Sequence, residues 1–188
     1  MNLGRPKREW HPSKYYHVIG KATRKDALFR NAEDKTFFLQ LVNEAHQKSP
    51  IELLSYCFMK THYHLQLRTQ YQSLTKLMGP INRSYAKYYN KKYELRGPLF
   101  VDRFKSIENG GVDGILRVSR YIHDNPRKFT SKVENYKWSS IQYYLPNPTN
   151  HHVSPPDFID IQTILNHFSG TLNEQKKAYL FWCRFKGL

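Results

Sequence analysis

The chain has 188 residues, 39% of them hydrophobic, which is long and apolar enough for a folded domain with a buried core and excludes a disordered chain. Its 30 Lys and Arg outnumber 15 Asp and Glu, for a formal net charge of +15, and 15% of the residues are aromatic. A positive field suits phosphate backbones and aromatic faces suit unpaired bases, so nucleic acid is the expected partner. No run of about eighteen apolar residues offers a membrane span, and the basic stretch Met1 to His11 lacks the apolar segment of a secretory signal. No membrane association is expected, and the expected location is cytoplasmic, on the nucleoid.

In chain order, residues 1–13 form a basic arm in which Arg5, Lys7 and Arg8 could reach nucleic acid. Tyr15 to Ala22 reads as a first strand. Ala32 to Gln47 reads as a helix, because Phe37, Phe38, Leu41, Val42 and Ala45 recur at helical spacing. Ile51 to Met59 is a mostly apolar second strand, and within it Cys57 reads as a buried thiol. Thr61 to Thr69 alternates as a half-buried third strand. Ser73 to about Tyr89 is a second helix with Leu74, Leu77, Met78, Ile81, Tyr85 and Tyr88 on one stripe. After the breaker Gly97-Pro98, Leu99 to Ile107 reads as a fourth strand. Gly110-Gly111 then precedes a helix from Asp113 to His123, with Asp113 as its expected N-cap. The order β-α-β-β-α-β predicts an α+β, ferredoxin-like split βαβ fold, with four antiparallel strands, two helices on one face and a further tyrosine-bearing helix. Beyond a Pro-, Asn- and His-rich stretch, residues 146–188 read as a linker and a C-terminal helical appendage, with helical segments near Phe158 to His167 and Leu172 to Phe185.

Two constellations carry chemistry. Strand side chains alternate between faces, so His62, His64, Gln66 and Arg68 share one face of the third strand while Tyr63, Leu65 and Leu67 take the other. Two imidazoles so spaced can reach one divalent cation, and Gln66 and Arg68 could meet its shell or a phosphate. Two exposed histidines on a solvated strand give the same pattern. In the last helix of the core, Ile115, Val118 and Ile122 make the apolar stripe. Arg117, Tyr121 and Asn125 stack four apart on an adjacent one. His123 points away from Tyr121 and is not expected to be a ligand. Pro126 biases Asn125 out of the helical region, toward a frayed end. Arg83 and Lys87, interleaved with tyrosines, and Arg103 and Lys105, alternating with Phe100 and Phe104, are candidate phosphate contacts, as is Arg117.

Together these motifs resemble the single-tyrosine HUH transposases of small insertion sequences, most closely the REP-associated tyrosine transposases. The resemblance runs over about residues 14–145. It rests on Tyr16-His17-Val18, Phe29 leading into an acidic helix with Asp34 and Phe37, and the His62-Tyr63-His64 strand. Further along it rests on Gly97-Pro98-Leu99-Phe100-Val101-Asp102-Arg103-Phe104-Lys105-Ser106, Tyr121-Ile122-His123-Asp124-Asn125-Pro126, and Trp138-Ser139-Ser140 with Tyr143. Tyr63 stands where the family usually has a smaller or plainly apolar residue.

The resemblance implies that His62, His64 and Asn125 hold Mg²⁺ or Mn²⁺, a donor set that favours Mn²⁺. It implies that Tyr121 attacks hairpin-forming single-stranded DNA through a 5′-phosphotyrosine intermediate, nicking and rejoining it without ATP. The alternative is a DNA- or RNA-hairpin-binding regulator that keeps the fold and performs no chemistry; the joint presence of His62, His64, Tyr121 and Asn125 argues against it. A replication initiator or relaxase fits less well, being larger. The Gly110-Gly111 joint could let the tyrosine helix reach a partner's metal site, as in dimeric insertion-sequence relatives. Monomer and homodimer both stay open.

Overall fold

The computed structural model describes residues 8–23, 27–146 and 154–184; Arg5 and Lys7 lie outside them. The alternation seen in the sequence becomes a four-stranded sheet. Strand β1 (Tyr16–Lys21), helix α1 (Ala32–Lys48), β2 (Ile51–Phe58), β3 (His62–Thr69), α2 (Leu74–Lys92) and β4 (Lys105–Glu108) follow in order, then α3 (Gly111–Asp124). The sheet order is β2-β3-β1-β4 and every pairing is antiparallel, the split βαβ arrangement expected.

One sheet face carries Val18, Tyr63, Leu65 and Leu67 into a core with Phe38 and Val42 of α1 and Leu77, Met78, Ile81 and Tyr85 of α2. Each fully buried side chain of this kind contributes roughly 1.5–3 kcal/mol. Tyr63 takes its place here through a cross-strand partner. Gly20 lies opposite it in the β1–β3 register, and a Cβ on Gly20 would come within 2.3 Å of the Tyr63 ring. The missing side chain makes room for the ring, which is why a tyrosine fits between the two histidines. Its hydroxyl donates to Asn82 Oδ1 at 3.0 Å.

The N-terminus of α1 is closed by a capping box between Asn31 and Asp34. The fully buried Asp34 carboxylate also accepts from the hydroxyls of Tyr88 and Tyr93 and from Lys92 Nζ (2.8 Å), tying α1 to α2.

Three local expectations change. The fourth strand is shorter than Leu99 to Ile107. Pairing with β1 is made at Phe100 and again from Lys105, with five residue steps between them against three from Ile19 to Ala22. The extra residues loop out where Asp102 Oδ1 accepts the Arg103 N–H at 2.8 Å, a side-chain bond that competes with the ladder. Asp113 does not cap α3. The cap is Gly110, with φ +66° and no side-chain bond, and Asp113 lies in the first turn, where its charge still suits the helix dipole. Finally, the first appended helix is shorter than Phe158 to His167, being α4 (Gln162–Leu165), while α5 (Leu172–Arg184) lies where expected, Phe185 falling outside the described residues.

The segment after α3 runs along the outer edge of β2. Phe58 N–H donates to the Trp138 carbonyl at 2.9 Å, Ser140 Oγ accepts from the Tyr56 N–H at 2.8 Å, and Tyr144 donates to the Leu54 carbonyl at 2.7 Å. Further along, the Leu53 N–H donates to Phe158 O at 2.9 Å, and Ile164, Leu165 and Tyr179 are fully buried in the same core. Among the described residues no helix is long and apolar enough to cross a membrane.

Candidate functional site

The second sheet face carries the histidines, and α3 lies across it. Ile122 packs with Cys57 and Met59, and Val118 joins them. Gln66 is fully buried, accepting from Ser55 Oγ and donating to the Ile115 carbonyl, both at 2.8 Å. It fastens the helix to the sheet and is not available to a metal or phosphate. Arg68 is likewise committed, in a two-pronged pair with Glu52 at 2.7 Å.

Cys57, opposite His64 on β2, is buried as expected, and burial pushes its thiol up to about 12. His123 faces away from the site. Its Nδ1 meets Tyr179 Oη at 2.7 Å and its Nε2 meets Ser140 Oγ at 2.8 Å, so it anchors α3 to the tail.

His62 is half-buried and His64 buried, with ring centroids 4.8 Å apart. The strand period puts both on one face, as the spacing predicts. The Tyr121 ring stands edge-on to His64 at 5.6 Å and to His17 at 5.7 Å, and is 54% exposed. In this structure, then, Tyr121 lies beside the histidines of its own chain.

Asn125 departs from expectation. Despite Pro126 it is helical (φ −50°, ψ −40°), begins a 3₁₀ turn over Asn125–Lys128, and is buried. Packing has overridden the bias of the following proline. Asn125 Nδ2 donates to the Tyr121 carbonyl at 2.8 Å, which leaves Oδ1 as the end of the amide that can accept toward His64.

His17 is the residue that sequence reasoning left out of the site. It appeared only as part of Tyr16-His17-Val18, and nothing in that motif marks it as a partner of β3. Antiparallel register decides it: His17 faces Gln66 and Ile19 faces His64, so His17 is the diagonal neighbour of His64. Its Nε2 lies 2.8 Å from His64 Nδ1. His64 Nε2 is buried, and among the described residues it has no hydrogen-bond partner.

Burial lowers all three imidazoles. His17 falls to about 4. His64 falls to about 3, through burial first, then His17, His62 and Lys128, with the Asn125 amide opposing. His62 is lowered by burial and then by the cations Lys128 and Lys21. The rings are therefore neutral at pH 7, the form that ligates metal. Among the described residues no group of three or more His, Cys, Asp or Glu is arranged to hold a metal ion.

Tyr121 and Asn125 open onto a cleft of about 930 Å³ lined also by Arg117, Arg120, Arg127, Lys128 and Arg184. Only Arg117 of these cations was singled out from the sequence. The stripe at four-residue spacing could have suggested it, whereas Lys128 and Arg184 come from other elements. Arg127 pairs with Asp124, Arg184 pairs with Glu134, and Arg120 lies 4.5 Å from the Trp182 ring centroid.

Lys105 is exposed on the histidine face. It faces Ile19, which in turn faces His64, so it stands two strand spacings from His64, on the order of 10 Å. Arg103 is exposed in the loop before β4 rather than on a strand. Arg83 and Lys87 are exposed on α2, which packs on the opposite sheet face, and the structure does not bring them to the histidines. Arg8 stacks 3.8 Å above the Phe104 ring and donates to its carbonyl.

Comparison with known proteins bears on this arrangement. No curated protein matches the chain. A solved structure of a REP-associated tyrosine transposase bound to a REP hairpin is similar in fold, with a TM-score of 0.61 at 12% identity, covering 86% of this chain and 96% of that one. The model of the family described as "Transposase IS200 like" matches residues 11–125, a span from before β1 to Asn125 that takes in both histidines and Tyr121. The chain belongs to the IS200-like transposase family.

Proposed function

We propose that the chain nicks and rejoins hairpin-forming single-stranded DNA, with Tyr121 as nucleophile and His62, His64 and Asn125 as the protein ligands of a divalent cation, Mn²⁺ or Mg²⁺. The observation that carries this reading is the buried His64 Nε2. Among the described residues it has no hydrogen-bond partner, and a buried imidazole nitrogen left so is costly unless something else binds it. A cation facing His62, His64 and Asn125 Oδ1 would fill that need. The donor set, two neutral nitrogens and one amide oxygen, suits Mn²⁺ more than Mg²⁺. When bound, such an ion polarises the scissile phosphate and offsets the charge that builds up as it is attacked.

The residues of the chain do the rest. Tyr121 Oη attacks the phosphorus, an O–P bond forms, and the bond to the 3′ oxygen breaks. The phenolic proton is given up and a proton is taken by the departing 3′ oxygen. A 5′-phosphotyrosyl link and a free 3′-OH remain, and the reverse attack by a 3′-OH rejoins the strand with no other energy source. The Asn125 bond to the Tyr121 carbonyl holds ligand and nucleophile in one rigid turn. Arg117 and Lys128 flank the cleft and would neutralise the backbone on either side of the cut. A hairpin substrate accords with the REP hairpin bound by the structural neighbour.

The test is His64→Ala. It should abolish cleavage of labelled hairpin oligonucleotides and weaken Mn²⁺ binding, with the circular-dichroism spectrum unchanged. Normal cleavage by this variant would place the metal elsewhere. DNA affinity gives a second expectation. Each of Arg117→Ala and Lys128→Ala should weaken binding similarly across sequences and reduce the slope of log K against log salt by about 1. Fluorescence anisotropy across a salt series measures this, and an unchanged slope would exclude the residue from the phosphate path.

A further inference from the structure

Within that metal reading, we infer that His17 is a positioning residue: it accepts the His64 Nδ1 proton and so holds His64 in the tautomer whose Nε2 is bare. Two imidazoles meeting nitrogen to nitrogen at 2.8 Å share one proton, which either His17 Nε2 or His64 Nδ1 must donate. If His17 donated, the remaining proton of His64 would sit on Nε2. That proton would occupy the buried nitrogen that makes no hydrogen bond with any described residue, and the nitrogen could bind no cation. If His64 donates, Nε2 keeps its lone pair and faces the space shared with His62 and Asn125. His17 then carries its own proton on Nδ1.

The fold builds this contact in. Residues 17 and 64 are diagonal neighbours on adjacent strands, a separation that two rings can bridge. The His17 ring also flanks Tyr121, at 5.7 Å between centroids, so it restricts the rotation of both the ligand and the nucleophile. A ligating histidine commonly owes its tautomer and ring angle to such an outer partner, and loss of the partner costs about 10–100-fold in metal affinity.

The experiment compares wild type with His17→Gln, whose side-chain oxygen can still accept near the position of Nε2, and His17→Phe, which keeps a ring and cannot accept. Nitrogen-15 spectra of the metal-free proteins report the His64 tautomer, and Mn²⁺ titration reports affinity. The expected result is a proton on Nδ1 of His64 in wild type and His17→Gln. His17→Phe should move it at least in part to Nε2 and weaken Mn²⁺ binding by about 10–100-fold. His17→Gln should stay within a few-fold of wild type.

A wild-type His64 protonated on Nε2 overturns the inference, as does a His17→Phe protein with unchanged tautomer and affinity. If His17→Phe does not fold, the wild-type and His17→Gln tautomers decide the matter. If wild type binds no Mn²⁺, the metal reading fails, while the metal-free spectra still show which ring donates.

Discussion

Tyr121→Phe is expected to abolish the covalent protein–DNA adduct and to slow strand cleavage by about 10⁴-fold or more, the scale seen when a nucleophile is deleted from a catalytic unit. The substitution removes one oxygen. The ring keeps its edge-on contacts with His17 and His64. The side chain is 54% exposed, so stability should change by no more than about 0.5 kcal/mol. Binding to a hairpin oligonucleotide should likewise persist, since the cleft cations are untouched. A denaturing gel with labelled oligonucleotide, run beside a thermal melt and an anisotropy titration, separates these effects. Loss of the adduct together with binding or folding would mean that the hydroxyl acts in DNA binding or packing rather than solely as the nucleophile.

The largest expected effect on stability comes from Asp34→Ala, far from the cleft. The fully buried carboxylate accepts from the backbone N–H of Arg30 and Asn31, from Tyr88 and Tyr93, and from Lys92. Its loss strips a capping box from α1 and leaves Lys92, among the described residues, with the exposed Glu33 as its charge partner. Loss of the cap and of several hydrogen bonds to a charged acceptor costs about 2–4 kcal/mol, read as a shift in urea midpoint.

The pH dependence has a definite sign. Burial would raise the Asp34 pKa, but hydrogen bonds from Lys92, Tyr93 and the two backbone N–H groups outweigh it and hold the group below its ordinary value. Its contribution is therefore complete above pH about 4 and is lost as pH falls through the lowered folded value. The gap between wild type and Asp34→Ala should narrow on acidification below that point. A gap independent of pH down to about 2 would show that the charge contributes nothing.

Asp34 also shows what kind of information the sequence carried. It stands in one of the motifs behind the family resemblance, and its environment is that of a structural anchor between two helices. The sheet was legible because periodicity is a local property: strict alternation in His62 to Thr69 fixed which residues share the histidine face, and helical spacing fixed the stripe of Arg117, Tyr121 and Asn125. What joins the two elements was not local. Whether His17 meets His64 depends on the register of β1 against β3. Whether Gln66 faces a metal or a helix carbonyl depends on where α3 lands. The short β4 comes with a loop in which the Asp102 side chain bonds the Arg103 N–H, a local contact that no periodicity announces. Asn125 is helical because the buried turn outweighs the preference imposed by Pro126. Arg127, Lys128 and Arg184 reach the cleft from segments whose own patterns are plain surface. Charge alone marked Arg83 and Lys87 as strongly as Arg117, and only the packing of α2 on the far sheet face distinguishes them.

The central claim, that Tyr121 is the residue joined to DNA, is tested most directly by identifying the modified residue. Wild-type protein would be incubated with a single-stranded hairpin oligonucleotide and Mn²⁺, digested with protease and nuclease, and analysed by tandem mass spectrometry. The expected result is one modified peptide, carrying a 5′-phosphonucleotide on Tyr121. A nucleotide on Tyr85, Tyr88 or Tyr89 instead, or no modified peptide with several hairpins in both Mn²⁺ and Mg²⁺, would contradict it.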